Sequence, residues 1–121
     1  MKLNSQEIHA LEEYPIFLAT SSGDKPNVTI TESGVITNGK LLICDCGMTL
    51  AKENILKNPR VSFVSFRKFD RDVYECYKGF GKAKYYTNGE YLKLAQKRLK
   101  GEPFKPKGAV VITIEELFKV E

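Results

Sequence analysis

The hydrophobic positions change period several times along the chain, and each change marks an element. Asn4 precedes Ser5-Gln6-Glu7, so Asn4 and Glu7 form a capping-box start. Ile8 and Leu11 then share a helical face, which predicts a helix over residues 5–13, ended by Pro15. Ile16–Thr20 reads as a strand, and Ser21-Ser22-Gly23-Asp24-Lys25-Pro26 as a turn. A second strand runs from Asn27 to about Ile36, Asn38-Gly39 gives the signal of a tight hairpin, and Leu41–Asp45 is the third strand. Three strands joined by short turns predict an antiparallel meander, because parallel pairing needs a long crossover.

Gly47 interrupts the pattern, and Thr49–Lys57 follows as a short helix with Thr49 as its expected N-cap and Asn58-Pro59 as its stop. Val61–Arg67 and Val73–Tyr86 are strands; Gly79 and Gly81 in the second suggest a bulge of the kind found where sheets curl. Glu90–Lys100 is helical, with Tyr91, Leu94, Ala95 and Leu99 along one face. After a loop from Gly101 to Gly108, Ala109–Ile114 is the last strand and Glu115–Glu121 a tail. Two of these strands are apolar on both faces: Leu41 and Ile43 oppose Leu42 and Cys44, and Val61 and Phe63 oppose Val64 and Phe66. The outer face of a small antiparallel sheet should be wet. Helices cover part of the excess, and a second copy in a homodimer is expected to cover the rest.

The chain has 121 residues, 42% hydrophobic and 28% charged, which is one globular domain over residues 1–121 and not a disordered segment. No apolar run approaches the ~18–20 residues that span a bilayer. The N-terminal stretch shows no signal-peptide pattern, so a cytoplasmic protein is expected. A net charge of +4 suits anionic ligands without requiring nucleic acid. Cys44, Cys46 and Cys76 read as reduced structural thiols, and His9 is the single histidine. No metal site is expected from them, since Cys-x-Cys is not a zinc spacing, and a Ser-His-Asp centre is disfavoured. Aromatics and cations mix in Phe66-Arg67-Lys68-Phe69 and from Tyr74 to Tyr86, as in single-strand nucleic-acid binders. Asp70, Asp72 and Glu75 dilute that charge, so nucleic acid is not the expected partner.

Two segments carry candidate chemistry. Thr29, Thr31 and Ser33 recur with period two, which puts three hydroxyls on one strand face, suited to a polar ring edge or a phosphate; a solvated sheet face has the same pattern. Asp45-Cys46-Gly47-Met48-Thr49 lies at a strand-to-helix junction, where glycine admits close approach and helix-start amides attract anions, with Lys52 nearby.

The order of several short motifs resembles a known family. They are Phe17-Leu18-Ala19-Thr20-Ser21-Ser22-Gly23-Asp24-Lys25-Pro26-Asn27-Val28, then Ile43-Cys44-Asp45-Cys46-Gly47-Met48, then Asn54-Ile55-Leu56-Lys57-Asn58-Pro59-Arg60-Val61. Gly81-Lys82-Ala83, Thr87-Asn88-Gly89 and Ala109-Val110-Val111-Ile112-Thr113 complete the series. Together they resemble the small FMN-binding split-barrel proteins related to pyridoxamine 5′-phosphate oxidase.

The resemblance implies a mainly β (α+β) fold: a six-stranded antiparallel split β-barrel with flanking short helices. It also implies a homodimer with flavin at the subunit interface. Relatives hold the isoalloxazine and ribityl chain along the strand that here carries Thr29, Ile30, Thr31 and Glu32. They hold the phosphate with the loop and helix start that here comprise Asp45, Cys46, Gly47, Met48, Thr49, Leu50, Ala51 and Lys52. Many relatives place a phosphate-binding Lys-Thr pair where this chain has Leu50-Ala51. The function so implied is an FMN-binding flavoprotein, an oxidoreductase or electron-transfer protein. No catalytic residue and no small-molecule redox substrate is readable from the residues. The alternative is a non-enzymatic barrel, a ligand sensor or an oligonucleotide-binding module.

Overall fold

The capping box at the N-terminus forms as its residues predict: the Glu7 amide donates to Asn4 Oδ1 at 2.8 Å, and the Asn4 amide donates to Glu7 Oε1 at 2.8 Å. It starts α1 (Ser5–Glu13). The computed structural model describes residues 1–121. The strands β1 (Ile16–Ser22), β2 (Lys25–Thr31), β3 (Val35–Thr37) and β4 (Lys40–Asp45) follow, then α2 (Thr49–Lys57), β5 (Arg60–Asp70), β6 (Val73–Tyr86), α3 (Gly89–Arg98) and β7 (Gly108–Lys119). All pairings are antiparallel, and the sheet has seven strands in the open order β2-β1-β5-β6-β7-β4-β3.

Seven strands instead of six is one correction, and it comes from a single segment. The strand expected over 27–36 is broken into β2 and β3, which lie at opposite edges of the sheet. The expected three-strand meander therefore does not form: β2 pairs with β1, whereas β3 pairs with β4. Residues 32–34 carry the chain between the two edges. Their backbone is tied on both sides, with the Ile16 amide donating to the Glu32 carbonyl at 3.1 Å and the Gly34 amide to the Leu11 carbonyl at 2.8 Å. Gly34 is needed there because a Cβ would collide with Leu41 Cδ1 and come 2.9 Å from the Leu42 carbonyl oxygen. The β3–β4 hairpin turns at Asn38 (φ 52°) and Gly39 (φ 72°), the two positive values a tight two-residue hairpin requires.

The expected tail is also a strand. β7 continues past Ile114 to Lys119, and the segment Glu116–Lys119 pairs with Phe80–Tyr77 after a register shift between Phe80 and Gly81. The bulge foreseen near Gly79 and Gly81 is this shift. Gly79 lies under the Phe63 ring and Gly81 against the Thr113 carbonyl, and a Cβ at either would clash.

The main core gathers Leu11, Ile16, Leu18, Leu41, Ile43 and Phe63 with residues of α2 and β7. A second cluster of Leu42, Ala95, Ala109 and Val111 lies under α3. The two-faced apolarity of β4 is thus satisfied within the chain, by α3 and not by a partner. The outer face of β1, β2 and β5 is different. Phe17, Val28 and Ile30 are 36%, 66% and 64% exposed, and Phe17 stands in register with Ile30 on one side and Val64 on the other. No helix is long and apolar enough to cross a membrane.

Candidate functional site

A cleft of about 500 Å³ opens between the two ends of the sheet. That size lies in the range of small-molecule and cofactor sites. One wall is the end of β2 and the link after it, Thr29 to Ser33. The facing wall is the end of β4 with Ile43, Cys44 and Cys46, followed by Gly47 and Met48. Arg98, Leu99, Glu102 and Phe104, from the end of α3 and the next loop, complete it. The split of the expected strand at residues 32–34 is what lets these walls face each other.

Seven of the residues implied by the resemblance meet at this cleft: Thr29, Ile30, Thr31, Glu32, Cys46, Gly47 and Met48. Five do not line it. Ala51 is 1% exposed in the main core, so it packs against the sheet. Thr49 and Leu50 are exposed on the first turn of α2. Thr49 is not the N-cap, which is Met48, and no side chain caps that end. Lys52 lies over the Tyr85 ring, 5.0 Å from its centroid. Asp45, 3% exposed, stands behind the loop.

Asp45 organises that loop. Its Oδ1 accepts from the Gly47 amide at 2.8 Å and the Met48 amide at 2.7 Å, and its Oδ2 accepts a short hydrogen bond from Tyr85 Oη. Burial, and then the Asp45 hydrogen bond, push the Tyr85 hydroxyl well above the usual tyrosine range. Two amides expected to be free for an anion therefore have an internal partner. Gly47 itself is open to the cleft, since a Cβ there would meet nothing within 4 Å.

On the opposite wall, Thr31 Oγ1 donates to the Ile16 carbonyl at 3.0 Å, which fixes the end of β2 to β1. Burial, with the neighbouring Cys46 next in weight, pushes the Cys44 thiol up to about 11, against an opposing pull from Arg98. Burial and then Asp45 raise the Cys46 thiol. Cys44 therefore stays protonated at neutral pH and is a poor nucleophile.

Arg98, Tyr85 and Phe104 belong to the site or its support and are not singled out by sequence reading. Arg98 Nη2 donates to Ser33 Oγ at 2.6 Å and to the Glu12 carbonyl at 3.0 Å. The partners lie 65 and 86 positions away, and no local spacing rule spans such distances. The available signal was weaker: a cation in the last turn of a predicted helix and a hydroxyl row in search of a charge.

No protein-family profile matches the chain. An uncharacterized protein of Methanocaldococcus jannaschii is 38% identical over 128 aligned positions, covering 100% of this chain and 83% of that protein. Among solved structures, HupZ of Group A Streptococcus superposes with a TM-score of 0.82 at 21% identity, covering 98% of this chain and 94% of that one. An FMN-binding protein from Syntrophomonas wolfei gives 0.80 at 16% identity, covering 94% and 81%. A candidate pyridoxamine 5′-phosphate oxidase from Lactobacillus delbrueckii gives 0.74 at 23% identity, covering 97% and 93%. The fold is that of the FMN-binding and pyridoxamine 5′-phosphate oxidase-like split-barrel proteins.

Proposed function

This chain belongs to the family of the Methanocaldococcus jannaschii protein, and from that premise and its fold we propose that it binds FMN in the cleft between β2 and the β4–α2 loop. The carrying observation is the pairing of walls: a row of hydroxyls at Thr29, Thr31 and Ser33 faces a loop whose glycine leaves open space. The donor set fits the group. Hydroxyls match a polyol chain, Met48, Leu99 and Phe104 border the cleft with apolar surface for a ring system, and Arg98 supplies a positive charge.

Bound flavin would supply the redox chemistry, and the protein's part is to bind, orient and tune it. Thr31, anchored to the Ile16 carbonyl, holds the β2 wall in place. The Asp45–Tyr85 pair holds the loop wall. Leu99 and Phe104 line the cleft beside Arg98. The site thus suits electron transfer or a simple flavin oxidoreduction, with the cofactor as the reacting group.

A homodimer belongs to the same proposal. The row Ile30–Phe17–Val64, exposed at Ile30 and Phe17 and half-buried at Val64, is continuous with the cleft through Ile30, so a second copy placed there would also close the cleft's open side. An interface of this kind would bury on the order of 2,000 Å² in total. Protein purified without added cofactor, and again after incubation with FMN and gel filtration, is expected to show oxidised-flavin bands near ~370 and ~450 nm. A colourless protein after both treatments overturns the reading.

A further inference from the structure

We propose that Arg98 and Ser33 form the seat for the terminal phosphate of the flavin, at the far end of the hydroxyl row, in place of the Lys-Thr pair that Leu50 and Ala51 have displaced. This rests on the reading that the cleft holds a flavin.

The two ends of the cleft differ in what they offer an anion. At the loop end, the Gly47 and Met48 amides already donate to Asp45. An anion placed there would find those donors used and a buried carboxylate behind them, a like charge at short range. Lys52 is drawn away over the Tyr85 ring, and Ala51 is sealed in the core.

The other end offers a cation with spare donors. A guanidinium has five N–H groups in a fixed fork, suited to a phosphate's oxygens. One nitrogen of Arg98, Nη2, is committed to Ser33 Oγ and the Glu12 carbonyl, and these bonds fix the side chain at the cleft. Arg98 has no carboxylate partner: the ion pairs of the molecule are Arg60–Glu115 and Lys93–Glu90. Glu32 and Glu102 also border the cleft, and neither is within 4.0 Å of a cation.

Thr29, Thr31 and Ser33 all border the cleft, so a polyol chain running past Thr31 to Ser33 would meet Arg98, whose Nη2 lies 2.6 Å from Ser33 Oγ.

The test titrates FMN and riboflavin, which lacks the phosphate, into wild type, Arg98→Gln and Arg98→Lys, read by flavin fluorescence. Wild type is expected to prefer FMN. Arg98→Gln should weaken FMN about tenfold or more and leave riboflavin unchanged, with Arg98→Lys between them. Because Arg98 also ties α3 to α1, circular dichroism checks the fold of each variant, and Arg98→Lys carries the test should Arg98→Gln not fold. Equal affinity of wild type for both flavins, or an equal loss of both in the variants, overturns the phosphate seat while leaving flavin binding standing. Binding of neither flavin to wild type overturns the flavin reading and this inference with it.

Discussion

Tyr85→Phe removes one oxygen from the support of the loop wall and leaves the ring in place. The ring packs against Gly108, where any Cβ would collide with it, so the phenylalanine keeps that contact. What is lost is the donation from Tyr85 Oη to Asp45 Oδ2, one of three hydrogen bonds that solvate a carboxylate only 3% exposed. A hydrogen bond to a charged group contributes about 1.5–3 kcal/mol, and the half-buried position of Tyr85 argues for the low end, about 1.5 kcal/mol. With an unfolding entropy of about 2.1 cal/mol/K per residue, a chain of 121 residues shifts its Tm by about 6 °C for that loss. Calorimetry and urea unfolding of wild type, Tyr85→Phe, Asp45→Asn and the double variant measure it, and the cycle should return a coupling of about 1 kcal/mol or more. The sign with pH is fixed. Tyr85 holds its proton more tightly folded than unfolded, so its contribution is full below the unfolded tyrosine pKa near 10 and is lost in strong alkali. The gap between wild type and Tyr85→Phe should be flat through neutral pH and narrow at high pH. A Tm within about 1 °C of wild type, where a 1.5 kcal/mol loss requires several degrees, would refute the role given to this bond.

Gly34→Ala should cost about 1–3 kcal/mol in urea unfolding, because its Cβ meets Leu41 and the Leu42 backbone carbonyl; an unchanged midpoint would mean that the link between the sheet edges is slack. Tyr14 is raised to about 12, first by burial and then by its bond to Glu75 at 2.6 Å, so its contribution is full below pH ~10 and falls as pH rises through 12. Spectrophotometric titration of the tyrosines should show a late step near pH 12, ahead of the still later Tyr85, that Tyr14→Phe removes. Val28→Lys, at a position 66% exposed and outside the cleft lining, should leave the circular dichroism spectrum unchanged and convert the proposed dimer to a monomer in sedimentation velocity; a wild-type monomer would overturn the dimer, and a variant dimer as stable as wild type would place the interface elsewhere.

Local signals were legible wherever a few neighbouring residues decide the outcome. The Asn4–Glu7 cap, the Asn38-Gly39 hairpin and the bounds of α1 and α2 are of this kind. The split of residues 27–36 was not, because Glu32-Ser33-Gly34 is only a weak interruption between two β-prone runs, and the break is settled by long-range pairing, β2 with β1 and β3 with β4. Glu115–Glu121 reads as a tail, and its strand character as far as Lys119 comes from long-range pairing with Tyr77–Phe80. The hydroxyl row and the Gly47 loop were visible as candidates from period two and from a glycine at a junction. Arg98 was not, because its place depends on how α3 lies against α1 and the link. Apolar residues on both faces of β4 suggest a partner subunit, whereas α3 covers Leu42 within the chain.

Whether the cleft holds one flavin per chain is tested most directly by calorimetric titration of FMN into wild type and Gly47→Leu. Gly47 is exposed at the cleft, has no positive φ, and a Cβ there meets nothing within 4 Å, so the substitution adds bulk to the site without straining the fold. Wild type is expected to bind one FMN per chain, and Gly47→Leu to keep the wild-type Tm while binding FMN about tenfold more weakly or worse. Undiminished binding by Gly47→Leu, or no binding by wild type, would contradict the assignment of this cleft.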